Sequence, residues 1–374
     1  MTPLGVYVHV PFCAAICNYC NFSRGLLDVD LARRYARALV ADLDRCADGS
    51  ASDTLYFGGG TPSLLDPGEI GRVIAAWRAG FACPTDVEVT LEVNPETVDA
   101  ARLAAFRAAG VNRLSIGVQS FRDEELRRLG RLHDAARAEA VLSEARSAGF
   151  DNVSLDLMMW LPGQTPAEWR ESVSRLVALE PEHASLYLLE VYPNAPLRDE
   201  MARGGWEQAP DEVAASMYLE ALALLDTAGY EHYEISNVAR PGRRARHNLK
   251  YWQDEDWLAI GCAAHGSRGL VRWRNVTGAT DYVERVEAGA DPVAERQART
   301  LANACAEAAF MGLRLSEGLD LAALRDRYGV DLWTRHAREL APFVEAGLLD
   351  YRPPRLRLTR EGFLVANEIM GVLV

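Results

Sequence analysis

Cysteine is scarce in this chain, and long apolar runs are missing altogether. Seven of the 374 residues are cysteine, and their scatter does not resemble the dense framework of a secreted, disulfide-stapled protein. No stretch approaches the roughly 20 apolar residues needed to span a bilayer. The opening MTPLGVYVHVPF has neither the charged start nor the long apolar core of a signal peptide. Positive charge is short as well: 40 basic against 53 acidic residues give a net charge of −13, the wrong sign for wrapping a phosphate backbone. Low-complexity segments are absent, and apolar residues make up 49% of the chain, as in ordinary globular proteins. These features predict a cytoplasmic protein in a reducing compartment, with no nucleic-acid partner and at most peripheral membrane contact.

What is present is a repeated grammar. The short runs GVYVHV (5–10), TLYFGG (54–59), VEVTLEV (87–93), RLSIGVQS (113–120), VSLDLMMWL (153–161) and ASLYLLEVY (184–192) alternate with Ala-, Arg- and Glu-rich stretches of helical period such as VDLARRYARALVADLDRC. Six successive strand–helix units predict an α/β fold with a parallel sheet over residues 1–229, a partial (β/α)6 barrel rather than a doubly wound open sheet. From 230 to 295 the period is lost, and this Arg-, Gly-, Trp- and His-rich connecting region reads as a long functional loop. Residues 296–374 return to helix, with LLDYRPPRLRLT as a hairpin before a final apolar helix. They predict a smaller C-terminal α+β, winged-helix-like domain that serves packing or partner contact.

In a parallel barrel the chemistry gathers at the C-terminal ends of the strands. There the chain places Cys13, Cys17 and Cys20, then Gly58 to Gly60 with Thr61, then Glu92 and Asn94, Gln119 and Ser120, Asp156, and Glu190. Charged groups in buried strands are costly unless used, so this rim is the predicted site. Thiols at C-x-x-x-C-x-x-C spacing select zinc or an iron–sulfur cluster. A structural zinc wants four closed ligands, whereas here only His9 is near and Phe22 stands where a further cysteine would fall. Three thiolates on a four-iron cubane leave one iron open to a substrate or cofactor.

The cysteine loop, GGGTPS, EVNPE, SIGVQSF and LDLMMWLPGQT, in this order, resemble the radical S-adenosylmethionine (SAM) superfamily. Within it the chain is similar, over nearly its whole length, to the group of the oxygen-independent coproporphyrinogen oxidase HemN and the haem chaperone HemW, with the chaperones nearer. The resemblance implies a [4Fe-4S] cluster on Cys13, Cys17 and Cys20, with SAM on the open iron, where electron transfer cleaves it to a 5′-deoxyadenosyl radical. It implies that Tyr7, Gly59, Gly60, Thr61, Glu92, Gln119, Arg131 and Asp156 face SAM, with a buried structural ion pair as the lesser alternative for Arg131 and Asp156.

Departures from the oxidase pattern, Phe22 in place of a fourth cysteine and a first strand that starts almost at Met1, favour the chaperones. So does HNLKYW, matching their HNxxYW haem-binding motif. The resemblance then implies haem binding by His247, Asn248, Tyr251 and Trp252, with His247 as candidate axial ligand and His265 and Cys262 as weaker ones. Arg243, Arg244 and Arg246 are expected at the propionates, while Cys46, Cys83 and Cys305 read as packing residues. The implied partners are haem, client haem proteins, respiratory ones among them, and an electron donor; SAM could be cleaved in the cycle or only regulate it. Two other readings stand beside this one: a HemN-like enzyme (coproporphyrinogen III dehydrogenase or methyltransferase), and a non-catalytic metal-binding interaction protein.

Overall fold

The computed structural model describes residues 2–373. The six expected runs are β1 (Leu4–Val10), β2 (Ser52–Gly59), β3 (Glu88–Val93), β4 (Arg113–Gln119), β5 (Val153–Met159) and β6 (His183–Leu188), all parallel and in chain order. The last is shorter than its run, which leaves Glu190 outside the strand. Between them lie the helices Val29–Cys46, Pro67–Gly80, Ala100–Ala109, Ala135–Ser147 and Pro166–Leu179. Acidic or hydroxyl side chains cap these helices: Asp28, Asp66, Asp99, Asp134 and Thr165 each accept backbone N–H groups at the N-terminus, satisfying donors that the helix itself leaves unpaired.

The connecting region is not the long loop its composition suggests. It supplies β7 (Glu231–Glu234), β8 (Asn237–Ala239), β9 (Trp257–Ile260), β10 (His265–Arg268), β11 (Val271–Asn275) and β12 (Val293–Ala298) to the same sheet, whose order is β12-β11-β10-β9-β1-β2-β3-β4-β5-β6-β8-β7. β9 runs parallel to β1, and the outer strands are antiparallel. The sheet stays open, with β12 and β7 as its edges. Its apolar face packs under the helices, where Trp77, Trp169 and Phe106 are buried. Helices Leu301–Gly312, Leu321–Tyr328 and Leu332–Glu345 then precede an antiparallel hairpin, Leu349–Arg352 with Arg355–Leu358.

The short helix Arg246–Trp252, which carries HNLKYW, packs against β2. Buried Glu88, the first residue of β3, accepts the backbone N–H of Arg246 and of His247, each at 3.0 Å. Buried Lys250 meets Asp53 at 2.9 Å and Glu255 at 3.1 Å. A carboxylate on the strand therefore caps a helix far along the chain. Replacing Glu88 with Ala should orphan two buried donors and cost about 1–3 kcal/mol, read as a lower urea midpoint at unchanged slope.

Candidate functional site

β1 is followed by a two-residue strand, Phe12–Cys13, paired with Gly25–Leu26, so Cys13 ends that strand and the loop between the pair holds Cys17 and Cys20. Cys13 is buried, Cys17 and Cys20 are part-exposed, and none is in a disulfide. His9 anchors this loop. Its Nε2 lies 2.9 Å from the carbonyl of Ser23 and its Nδ1 3.1 Å from the Tyr7 hydroxyl; since a carbonyl only accepts, Nε2 carries the proton and Nδ1 accepts from Tyr7. With both nitrogens occupied, His9 is not a spare ligand. Among the described residues, no three His, Cys, Asp or Glu side chains are gathered as a site for a single metal ion.

The glycine run closes over the loop. Gly60 and Thr61 donate their N–H groups to the carbonyls of Val10 (2.8 Å) and Phe12 (2.7 Å). A side chain at Gly60 would meet the Phe12 carbonyl at 2.8 Å and Cys13 Sγ at 3.0 Å, and Gly59 sits at φ +120°; only glycine allows that approach and that conformation. A chain of polar contacts joins two of the cysteines. Thr61 Oγ1 is 3.7 Å from Cys13 Sγ, Asn94 Nδ2 donates to Thr61 Oγ1 at 3.1 Å, Arg131 Nη2 donates to Asn94 Oδ1 at 2.8 Å, and Arg131 Nη1 is 3.7 Å from Cys17 Sγ. Gln119, held at φ +65°, shares this corner: a side chain at Gly117 would meet Gln119 Nε2, Asn94 Oδ1 and Arg131 Nη2 together.

Arg131 and Asp156 do not pair. Arg131 also donates to the Gly117 carbonyl at 2.9 Å and lies 4.0 Å from Glu96, whereas Asp156 is held by the hydroxyls of Ser115 and Ser154, each at 3.0 Å. Burial pushes the Asp156 carboxyl up, against the pull of those hydroxyls. Glu92 accepts from the Tyr56 hydroxyl at 2.8 Å and the Gly59 N–H at 3.1 Å; burial raises its pKa to about 7. Glu190 is exposed and accepts from the Tyr192 hydroxyl at 2.9 Å, so it does not belong to the cluster.

A cavity of about 400 Å³ opens beside these groups, within the range of small-molecule sites. Tyr7, His9, Gly59 and Glu92 line it together with Phe22, and so do Tyr251, Trp257 and His265. Residues expected at SAM and two expected at haem, Tyr251 and the weaker candidate His265, thus share a single space. The remaining members of the motif turn elsewhere. Trp252 lies under the Arg314 guanidinium, 4.5 Å from its ring centre, and Asn248 is part-buried on the same helix.

His247 differs from the expected open ligand. It is 1% exposed, its Nδ1 is 2.8 Å from Thr54 Oγ1, its Nε2 is 2.7 Å from the Tyr251 hydroxyl, and its ring stacks on Tyr56. Burial, then nearby Lys250 and Arg113, lower its pKa to about 3, so it is neutral with both nitrogens engaged. The three arginines are committed too: Arg243 to Asp151, Arg244 to Glu317 and Glu231, Arg246 to Asp53 and Asp86. Cys262 is buried against the Tyr35 hydroxyl at 3.3 Å. Cys305 is buried, while Cys46 and Cys83 are half-buried against the core. Thr54 and Glu88, which hold the motif helix, went unnoticed in the sequence; their signal was a polar residue at an inward-facing position near the start of a buried strand.

Residues 7–176 match the family described as the Radical SAM superfamily, and residues 300–365 match the HemN C-terminal domain. The heme chaperone HemW of Bacillus subtilis is 32% identical over 372 residues, 98% of this chain and 98% of that protein. The heme chaperone HemW of Mycobacterium tuberculosis is 37% identical over 382 residues, covering 100% of this chain and 95% of its own. Among solved structures, the coproporphyrinogen III oxidase HemN of Escherichia coli superposes with a TM-score of 0.86 at 25% identity, covering 99% of this chain and 90% of its own.

Glu92 yields a pH dependence. Its folded pKa of about 7 exceeds the usual carboxylate value near 4.5, so its neutral form favours folding below pH 4.5 and that advantage is lost as pH rises through 7. Urea midpoints of the ligand-free protein should show Glu92→Gln gaining on the unsubstituted protein between pH 5 and pH 8. A constant difference across that window would show that Glu92 is ionised throughout.

Proposed function

The chain belongs to the HemW family of the radical SAM superfamily, and from that membership we propose that it is a haem chaperone. In this reading Cys13, Cys17 and Cys20 hold a [4Fe-4S] cluster, SAM occupies the Tyr7, Gly59 and Glu92 side of the nearby cavity, and haem is carried to client haem proteins, respiratory ones among them. The observation that supports it most is the contact chain from Cys13 through Thr61, Asn94 and Arg131 to Cys17; its Thr61 stands two residues along the glycine run from Gly59, which lines a cavity together with Glu92 and Tyr251.

The residues fit the groups assigned to them. Three soft sulfur donors on one loop suit iron–sulfur ligation, and the buried Arg131 guanidinium lies 3.7 Å from Cys17 Sγ. The Gly59–Gly60 cradle admits a ligand close to the backbone, and the Glu92 carboxylate, once ionised, accepts hydrogen bonds from an amine or a ribose. Gln119 and Thr61 supply further polar contacts, Tyr7 a flat wall, and Asp156 a carboxylate fixed by serines. When bound, the cluster and SAM supply one-electron chemistry at the iron that no cysteine holds. At the motif, Tyr251 and Trp257 meet edge to face, 4.9 Å between centres, and offer an aromatic corner to a flat macrocycle. An electron donor is implied if SAM is cleaved.

Anaerobic reconstitution with iron and sulfide, followed by haem titration in the visible spectrum with and without SAM, tests the proposal. Stoichiometric haem uptake by cluster-loaded protein, and haem transfer to an apo-haem protein, are expected. Cys17→Ala should lose the cluster absorbance and keep haem uptake. Cluster formation with SAM cleavage but no haem uptake would overturn the chaperone reading in favour of the HemN-like enzyme, whose likeness in fold makes a coproporphyrinogen III turnover assay the direct check. One zinc and no iron would instead support the interaction protein. Glu92→Gln and Arg131→Ala should each weaken SAM binding by about tenfold, of the order of one charge-assisted hydrogen bond, measured by equilibrium dialysis.

A further inference from the structure

The chain has seven histidines, and their hydrogen bonds sort them. His9 and His247 use both ring nitrogens, as described above, and so do His133, between Glu96 and the Val118 carbonyl, and His183, between Ser154 and the Tyr233 hydroxyl. His232 faces Tyr218 and Ser316. His336 lies on the helix Leu332–Glu345 of the C-terminal region. His265 alone both lines the cavity and carries a ring with no hydrogen-bond partner among the described residues.

The backbone places His265 there by a constrained turn. Gly261 sits at φ +97°, where a side chain would meet the His9 carbonyl at 2.5 Å, and Ala263 is held at φ +55°. A non-glycine residue in that region is strained and persists only where its surroundings fix it. Here they do: the Cys262 N–H donates to the Tyr35 hydroxyl at 2.7 Å and the Ala263 N–H to the Val276 carbonyl at 2.7 Å. The Trp257 indole N–H donates to the His265 carbonyl at 2.8 Å, which ties the histidine to the aromatic corner formed with Tyr251. Behind it, Gly266 leaves room for Trp273, whose ring would lie 2.3 Å from any Cβ at that position.

We infer that His265, and not His247, supplies the imidazole that meets the iron of haem carried on the Tyr251 and Trp257 side of this cavity. The inference rests on the haem-chaperone reading. His247 is then a strut: it joins Thr54 on β2 to the Tyr251 hydroxyl and so sets the angle of the ring that lines the cavity. Coordination needs only a neutral imidazole with a free lone pair. Nothing has to be displaced from His265, whereas at His247 a hydrogen bond to Thr54 or Tyr251 would have to break inside the protein.

Cluster-loaded full-length protein titrated with haem, and followed at the Soret band, tests this. His265→Ala, an exposed position whose loss leaves the core untouched, should shift the Soret maximum and weaken haem binding by about tenfold or more, and added imidazole should restore the original spectrum. His247→Gln should unfold at lower temperature yet keep the original Soret position in its folded fraction. An unchanged spectrum in His265→Ala, with no response to imidazole, overturns the inference and leaves the chaperone reading standing. Absence of any Soret response in the unsubstituted protein overturns both.

Discussion

A polar side chain turned into the inner face of a buried parallel sheet has to find its partner within that face, because an unpaired one costs more than most single contacts return. That constraint organises this molecule. Asp156 is met by Ser115 and Ser154, Ser154 by His183, His183 by the Tyr233 hydroxyl, and that hydroxyl by the N–H of Ala245, just before the motif helix. A second chain runs from Cys13 to Cys17 through Thr61, Asn94 and Arg131. Networks of this kind fix geometry as well as satisfying donors. One hydrogen-bonded chain therefore joins the Asp156 carboxylate to the approach of the motif helix, and a second ties two of the cysteines to the strand ends around them.

The parallel strands were legible because burial on both faces writes itself as uninterrupted β-branched and aromatic runs, with a glycine or polar residue where each strand stops. Cys13, Thr61, Glu92 and Gln119 were legible from the ends of such runs, whereas Arg131 came only from the resemblance to a known family. The connecting region was not. HGSR and VAERQA form strands in the antiparallel outer part of the sheet, where one face meets water and charge replaces the apolar run. Glu190 was misplaced because β6 ends at Leu188, leaving its carboxylate in solvent.

His247 shows a deeper limit. Its partner Thr54 lies 193 positions away, and the carboxylate that caps its helix lies 159 positions away, so nothing local distinguishes a ligand from a strut. The same holds for Arg243, Arg244 and Arg246, which read as a basic cluster for an anion and prove to be neutralised one by one by acidic residues from distant elements. The residue type was informative; the availability of its polar atoms was not.

β1 has two neighbours of very different origin. β2 begins about 40 residues after β1 ends, whereas β9 arrives about 250 residues after β1 begins. As the chain leaves the ribosome, the strand that leads into the cysteine loop is therefore paired on one side only until nearly seven-tenths of the protein has emerged. Contacts of such separation close slowly, and an open strand edge invites other chains. Assembly order thus sets a period in which the three thiols are present while the wall carrying Trp257 and His265 is not. Any loading of the cysteine loop that has to precede closure of the cavity has that interval in which to occur.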